Sequence, residues 1–426
     1  MKNRWQTIGL LLILTGFMFS FSSCLKDSCD GSTTFIRYNP IYKTVDEIRQ
    51  DIQILPARSL KNPGKIYYYK DHIIVNELRE GLHIIDNTDP ANPLNVSFVQ
   101  IPGNVDMAVK GDMMYVDNYI DLLTIDISDP RNPVVQNRTN DVFSSISLHQ
   151  ELGHLVYYEQ TEETVEIECS DPRWGNVSFW DRGGIFFDAS SGISLNSNTT
   201  GSSAVQAGVA GSMARFAIYD DFLYTIDNFD VDVFDITTVS DPALENTFSV
   251  SWDIETLFPY EDKMFIGAAS GMYIYDLANA SNPIYLSKFE HARACDPVFV
   301  KDNYAYVTLR DGTPCEGFAN QLDIIDITSL TNPTLVKSYE MDNPHGLSIK
   351  GNHLYICDGA SGLKVYNLED VEDLELTETA ENLDTYDIIS IPGKNIALVV
   401  GKDGLYQFDT TDPSDLKEIS SININR

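Results

Sequence analysis

Apolar residues along this chain come in short runs, rich in Val, Ile, Leu, Tyr and Phe and punctuated by Gly, Asn and Asp. Such runs predict strands rather than helices. One phrase recurs: a Gly or polar residue, an apolar stretch, then Asp or Asn. It closes at residues 86, 126, 188, 235, 276, 326, 367 and 409. Clear copies are Gly81-Leu-His-Ile-Ile-Asp86, Gly271-Met-Tyr-Ile-Tyr-Asp276 and Gln321-Leu-Asp-Ile-Ile-Asp326. Most intervals are near 41 residues, and three are longer because of insertions. A second apolar run precedes each phrase, as at 73–75, 113–116 and 396–399. A third lies before that, as at 105–109 and 297–300, and a fourth follows, as at 95–99. Each repeat therefore reads as a four-stranded antiparallel sheet. Helical patterning tempts only between Thr44 and Ile52.

Turn chemistry supports this reading. The phrase is often followed by Asp-Pro-x-Asn-Pro, as at Asp89–Pro93 and Asp129–Pro133. There the Asp side chain accepts from backbone N–H groups just beyond it, and Pro presets the next φ. The second Pro launches an outer strand, where a missing N–H is tolerated. These aspartates read as structural.

Four-stranded units of this length match the blades of a β-propeller. Packing on both faces explains why the runs are nearly continuously apolar. The expected fold is all-β: a single β-propeller of four-stranded antiparallel blades over residues 61–426, with eight blades, or seven as the alternative because the third unit is irregular. That unit carries insertions at about 161–182 and 190–212, the second rich in Ser, Asn and Gly. The phrase with its Asp-Pro-x-Asn-Pro turn resembles the LVIVD repeat family of propeller proteins, most clearly at 82–93, 122–133, 272–283 and 322–333. The resemblance spans roughly residues 60–420, and the copies at 184–188 and 404–409 are weaker. It implies a propeller at the bacterial surface or in the envelope, and it carries over no catalytic residue.

The N-terminus reads as an address. Lys2 and Arg4 precede an apolar stretch from Ile8 to Phe21 that is too short for a comfortable membrane span. Residues 1–23 are therefore expected to be a signal peptide. Ser22 and Ser23 lead into Cys24, which resembles the acylated Cys of a bacterial lipobox, with Phe21 where Leu is usual. That departure is similar to the looser lipoboxes of Bacteroidetes-like bacteria. Lys26-Asp27 resembles their surface-export signal, although Ser28 stands where a second acid is common. The expectation is a lipoprotein anchored in the bacterial outer membrane, facing outward or into the periplasm, with residues 24–60 as a linker. Membrane contact is expected through that lipid alone.

The formal charge of -34 disfavours a phosphate-backbone partner, so nucleic acid is not expected. A protein, glycan or small ligand fits better. Of the six cysteines, Cys24 is assigned to lipid. Cys295 and Cys315 fall in two loops that open on one face of a blade, so a disulfide between them is expected. Cys357 reads as a buried small residue, and Cys29 and Cys169 have no assigned pairing.

In a propeller the loops before the inner strands and those between second and third strands converge on one channel mouth. Mapped this way, the candidate ligand-binding residues are Asp106, Asp117, His291, Arg293, Asp296, Arg310, His345 and Asp358. The competing reading is that loop ends are polar because they meet water. No cofactor is expected. Asp227-Asn-Phe-Asp230-Val-Asp232 has the acidic density of a calcium loop but lacks the central Gly and distal Glu of an EF-hand. HExxH, CxxC, P-loop and Gly-x-Ser-x-Gly patterns are absent. The sequence thus points to a surface-anchored recognition or scaffold module. An extracellular hydrolase or lyase working at the mouth, and a purely structural envelope protein, stand as alternatives.

Overall fold

The computed structural model describes residues 30–168, 178–181, 184–188, 209–210, 212–251, 254–291, 297–310 and 319–424. Among them lie eight antiparallel sheets, in agreement with the eight counted repeats. The short helix Val45–Ile48 sits where patterning allowed one. Thr44 accepts from the Glu47 N–H while Glu47 accepts from the Thr44 N–H, a reciprocal capping box.

The chain divides into two compact units, residues 1–39 with 159–191 and residues 40–158 with 192–426. In the smaller unit, the third-repeat strand Gly184–Asp188 pairs with Ser178–Asp181 on one side and with Asp30–Lys43 on the other. Residues 30–43, expected within a linker, are thus a strand.

The larger unit is a β-propeller of meandering sheets. The second repeat shows the pattern: Met107–Lys110 innermost, then Met113–Asn118, Asp121–Asp126 and Val134–Thr139 outermost. Burial follows that order. Residues 73–77 of a middle strand are all buried, whereas no residue of the outer strand Val134–Thr139 is. The first sheet gains two strands. Gln53–Pro56, also within the expected linker, pairs outside Leu94–Gln100, and Val209–Ala210 pairs inside Pro63–Tyr69.

The repeat phrase has a local physical cause at both ends. Gly81 sits at φ 139°, and a Cβ there would lie 2.0 Å from the Val99 carbonyl oxygen of the outer strand. At the other end, the Asp86 carboxylate accepts from the Thr88 N–H at 3.0 Å and its hydroxyl at 2.6 Å. Asp126, Asp235, Asp276, Asp326 and Asp409 accept in the same way from the residue two further on. In the following turn, Asp89 accepts from Ala91 N and from the Asn92 amide. Both turn aspartates are therefore structural.

The innermost strands pack in the order Pro63–Tyr69, Met107–Lys110, Phe216–Tyr219, Ile254–Tyr260, Val298–Lys301, Leu347–Lys350, Thr385–Ser390 and back to the first. The second-repeat sheet packs directly on the fourth: Ala108 and Tyr115 share one apolar cluster with Phe216, Ile218 and Phe234. The chain leaves this ring near Ser144, whose N–H is gripped by both Asp227 carboxylate oxygens at 3.0 Å.

Among the described residues no strand is exchanged between the first and last sheets of the ring, and side chains close it. Ile66, Val75 and Ile85 pack against Ile389, Leu398 and Leu405. Buried at the same seam, Asn87 and Gln407 exchange reciprocal amide hydrogen bonds of 2.9 and 2.7 Å. Replacing Gln407 by Leu leaves the Asn87 amide sealed without its partner. Gln407→Leu is expected to cost about 1–3 kcal/mol, read as a lower urea midpoint at unchanged slope. Adding Asn87→Leu should cost less than the sum of the two single changes.

Candidate functional site

Six residues occupy one register position, four before the end of the inner-strand pairing: Lys65, Asp106, Arg215, Thr256, Pro297 and Gly346; in the eighth repeat Asp387 stands three before the last pair, Ser390 with Ala397. Around the ring, Asp387, Lys65, Asp106 and Arg215 are neighbours of alternating charge. Lys65, Asp106 and Asp387 are buried, and Lys65 is ion-paired with Asp106. The same Asp106 oxygen, Oδ2, accepts from Arg215 N at 2.6 Å and Phe216 N at 2.9 Å, while Oδ1 accepts from Met107 N at 2.7 Å. Burial pushes the Asp387 carboxyl up to about 7, against the opposing pull of its hydrogen bond from Ile388 N and of Lys65. It pushes Asp117 up to about 6 and the Lys65 ammonium down.

The channel is filled by the chain itself. Val209 and Ala210 pair with Tyr68 and Tyr67 of the first sheet. Ser212 then donates its N–H to Asp387 of the eighth repeat, and its hydroxyl accepts from Leu347 N of the seventh at 2.7 Å. Ala214 O accepts from Leu257 N of the fifth at 2.7 Å. So short a segment touching four sheets around the ring crosses the axis. Ser212, Met213 and Ala214 are buried accordingly. The stretch 190–212, expected as an insertion, therefore ends inside the core.

The expected mouth residues separate into two kinds. Asp117 and Asp358 are loop anchors. Asp117 accepts from Val105 N and Asp106 N, each at 2.8 Å. Asp358 accepts from Asn343 N at 2.7 Å, from Asp342 N, and from the Lys364 ammonium at 2.5 Å. Glu77 does the same for the first repeat, taking Lys61 N and Asn62 N. Arg310 and His345 form the second kind. Arg310 Nη1 donates to His345 Nδ1, and the Tyr386 ring lies 5.4 Å from the imidazole. Burial and the nearby guanidinium hold the His345 pKa well below its ordinary value, so the ring is neutral. His291 is half-buried. Arg293, Asp296, Cys295, Cys315 and Cys24 lie outside the described residues. Cys357 is a buried free thiol, its pKa raised by burial.

The acidic run at 227–232 is occupied by hydroxyl and amide partners: Asp230 accepts from Ser249 and Asp232 from Thr247, both at 2.5 Å. Among the described residues, no group of three or more His, Cys, Asp or Glu is arranged to hold a metal. Over the first two repeats, the Arg79 guanidinium lies 4.4 Å from the Tyr157 ring, which is parallel to Tyr119 at 6.5 Å. Lys65, Arg215, Asp387 and Lys364 were not singled out from the sequence. The available signal was a lone charge at one register of an otherwise apolar inner run.

A family model for the LVIVD repeat matches residues 103–141 and 292–341. Those two stretches are similar to the LVIVD repeat. The structure matches a Lactobacillus plantarum protein with 12% identity and a TM-score of 0.54, over 85% of this chain and 96% of that one. A functionally unknown protein of Desulfotomaculum acetoxidans DSM 771 gives 12% identity and 0.53, over 84% and 95%. A periplasmic gluconolactonase of Pseudomonas aeruginosa gives 10% and 0.51, over 85% and 96%. At such identities the likeness is one of fold. No curated protein matches the chain.

Asp387 and Asp117 give a pH signature. Between an ordinary carboxyl value and about 7, the folded state retains a proton on Asp387 that the unfolded chain releases. Their contribution to stability is greatest below about pH 4 and is lost as pH rises toward 7. Asp387→Asn keeps the shape and removes the titration. It should shrink the stability difference between pH 5 and pH 8 by about 2 kcal/mol, measured by chemical denaturation at both pH values.

Proposed function

We propose that this LVIVD propeller is a lipid-anchored envelope protein that binds a partner, glycan or small ligand at its mouth, as a recognition or scaffold module. One observation carries the reading. Glu77, Asp117, Asp227 and Asp358 each tie a mouth loop down through backbone N–H groups. Loops pinned in this way present a surface of fixed shape, and little conformational entropy is lost when a ligand binds it. Residues 209–210 and 212–214 reach into the ring behind the mouth.

The tether rests on Cys24. Expressed in a bacterial host fed labelled palmitate, the full chain is expected to take up label and to sediment with membranes, whereas Cys24→Ser is expected to do neither. Label retained in Cys24→Ser would remove the anchor from the proposal.

Binding is tested by screening the purified lipoprotein against neutral and acidic glycans and an envelope extract. The expected result is saturable binding that Arg79→Ala weakens about tenfold without lowering the melting temperature. Turnover of a polymer or lactone, lost in His345→Ala, would replace this reading with the hydrolase or lyase. An envelope defect on deletion, with no ligand found, would favour the structural role.

A further inference from the structure

We propose that Lys65 and Asp106 become covalently joined: the Lys65 side-chain amine condenses with the Asp106 carboxyl and forms an isopeptide bond between the first and second repeats.

Burial prepares the amine. Lys65 and Asp106 are 4% and 1% exposed and lie in contact. The contact is off the line of a hydrogen bond, so Lys65 Nζ is sealed without a directed acceptor. A buried ammonium in that position is costly. Burial lowers the Lys65 pKa against the pull of Asp106; Arg215 adds to the effect and Asp117 opposes it. The free amine is thereby favoured, and a desolvated lysine amine is a nucleophile.

The carboxyl is held in place to receive it. Met107 N donates to Asp106 Oδ1 at 2.7 Å, and Arg215 N and Phe216 N donate to Oδ2 at 2.6 and 2.9 Å. Groups fixed side by side react as though at very high concentration. The two N–H groups on Oδ2 stabilise the negative charge that develops there as the nitrogen attacks. They also match the two lone pairs of the amide carbonyl that Oδ2 becomes.

The step balances within the cluster. The Nζ–Cγ bond forms and the Cγ–Oδ1 bond breaks. Of the three ammonium protons, one stays on the amide nitrogen and two leave with Oδ1 as water. Both buried charges disappear, and no oxidant or co-reactant is needed. Asp387 stands across the closing seam within electrostatic reach of both groups, and burial pushes its carboxyl up to about 7. A carboxyl that takes and gives up a proton near neutrality is suited to carry these protons. Asp117 is already engaged by Val105 N and Asp106 N. The bond joins two sheets that exchange no strand among the described residues.

The test is a tryptic map of the purified full chain after denaturation, read by mass spectrometry. An ion pair separates on unfolding, whereas an amide survives it. Trypsin does not cut after an acylated lysine. The expected species is therefore residues 62–70 joined to residues 80–110, lighter by one water than the two peptides together. Fragmentation should place the link at Lys65 and Asp106. Separate peptides 66–70 and 80–110 with no joined species, from chain that unfolds cooperatively, would overturn the bond. Lys65→Arg keeps the charge without the amine, and a joined species persisting in that variant would overturn it as well. Asp387→Asn is expected to slow the joining at least about tenfold in a pulse-chase after synthesis. An unchanged rate would remove Asp387 from the step.

Discussion

The ring depends on how it holds four charges where its inner strands converge. A buried ammonium or carboxylate is costly unless it is paired and hydrogen-bonded. Lys65 and Asp106 meet that condition as an ion pair between the first two sheets, and burial holds the Asp387 carboxyl up to about 7 on the other side of the closing seam. The arrangement works only if the last sheet comes back to lie beside the first. It therefore ties a contact between the two ends of the domain to the geometry of the axis. The Asn87–Gln407 amide pair and the apolar cluster of Ile66, Ile389 and Leu398 hold the outer part of the same seam.

What could be read from sequence was whatever repeats locally. The Gly at the start of the phrase and the Asp at its end each answer to a contact a few residues away or on the adjacent strand. Periodicity alone exposes them. The strand count per repeat and the turn chemistry follow from the same locality. The seam and the channel plug were not legible, because they join residues hundreds of positions apart. The plug also has a composition that reads as a loop, since small residues serve flexible segments and tight channels equally well. Position placed Asp117 and Asp358 at the mouth, but only the backbone N–H groups around them reveal that they anchor loops. Arg310 and His345 came from the same mapping and do meet. Lys65 and Asp387 escaped notice because a single charge inside an apolar run carries no partner on its face.

The fold likenesses put this chain among propellers, a scaffold that hosts many functions. What is particular to it lies at the axis and mouth: a channel given over to the chain itself, and loops fastened by carboxylates at equivalent strand ends.

The excursion between Ser144 and Ser212 has a mechanical consequence. Its outgoing end is clasped by Asp227 at a mouth loop, while its returning end runs through the hub, bonded to Leu347 and Asp387. Lengthening or shortening the chain between those points, outside its own strands, changes loop entropy only slowly and leaves the register of the ring's sheets alone. A pull on the returning end, by contrast, loads the axis first and the outer strands last. The propeller is thereby coupled to whatever grips that stretch, as a wheel is to its axle.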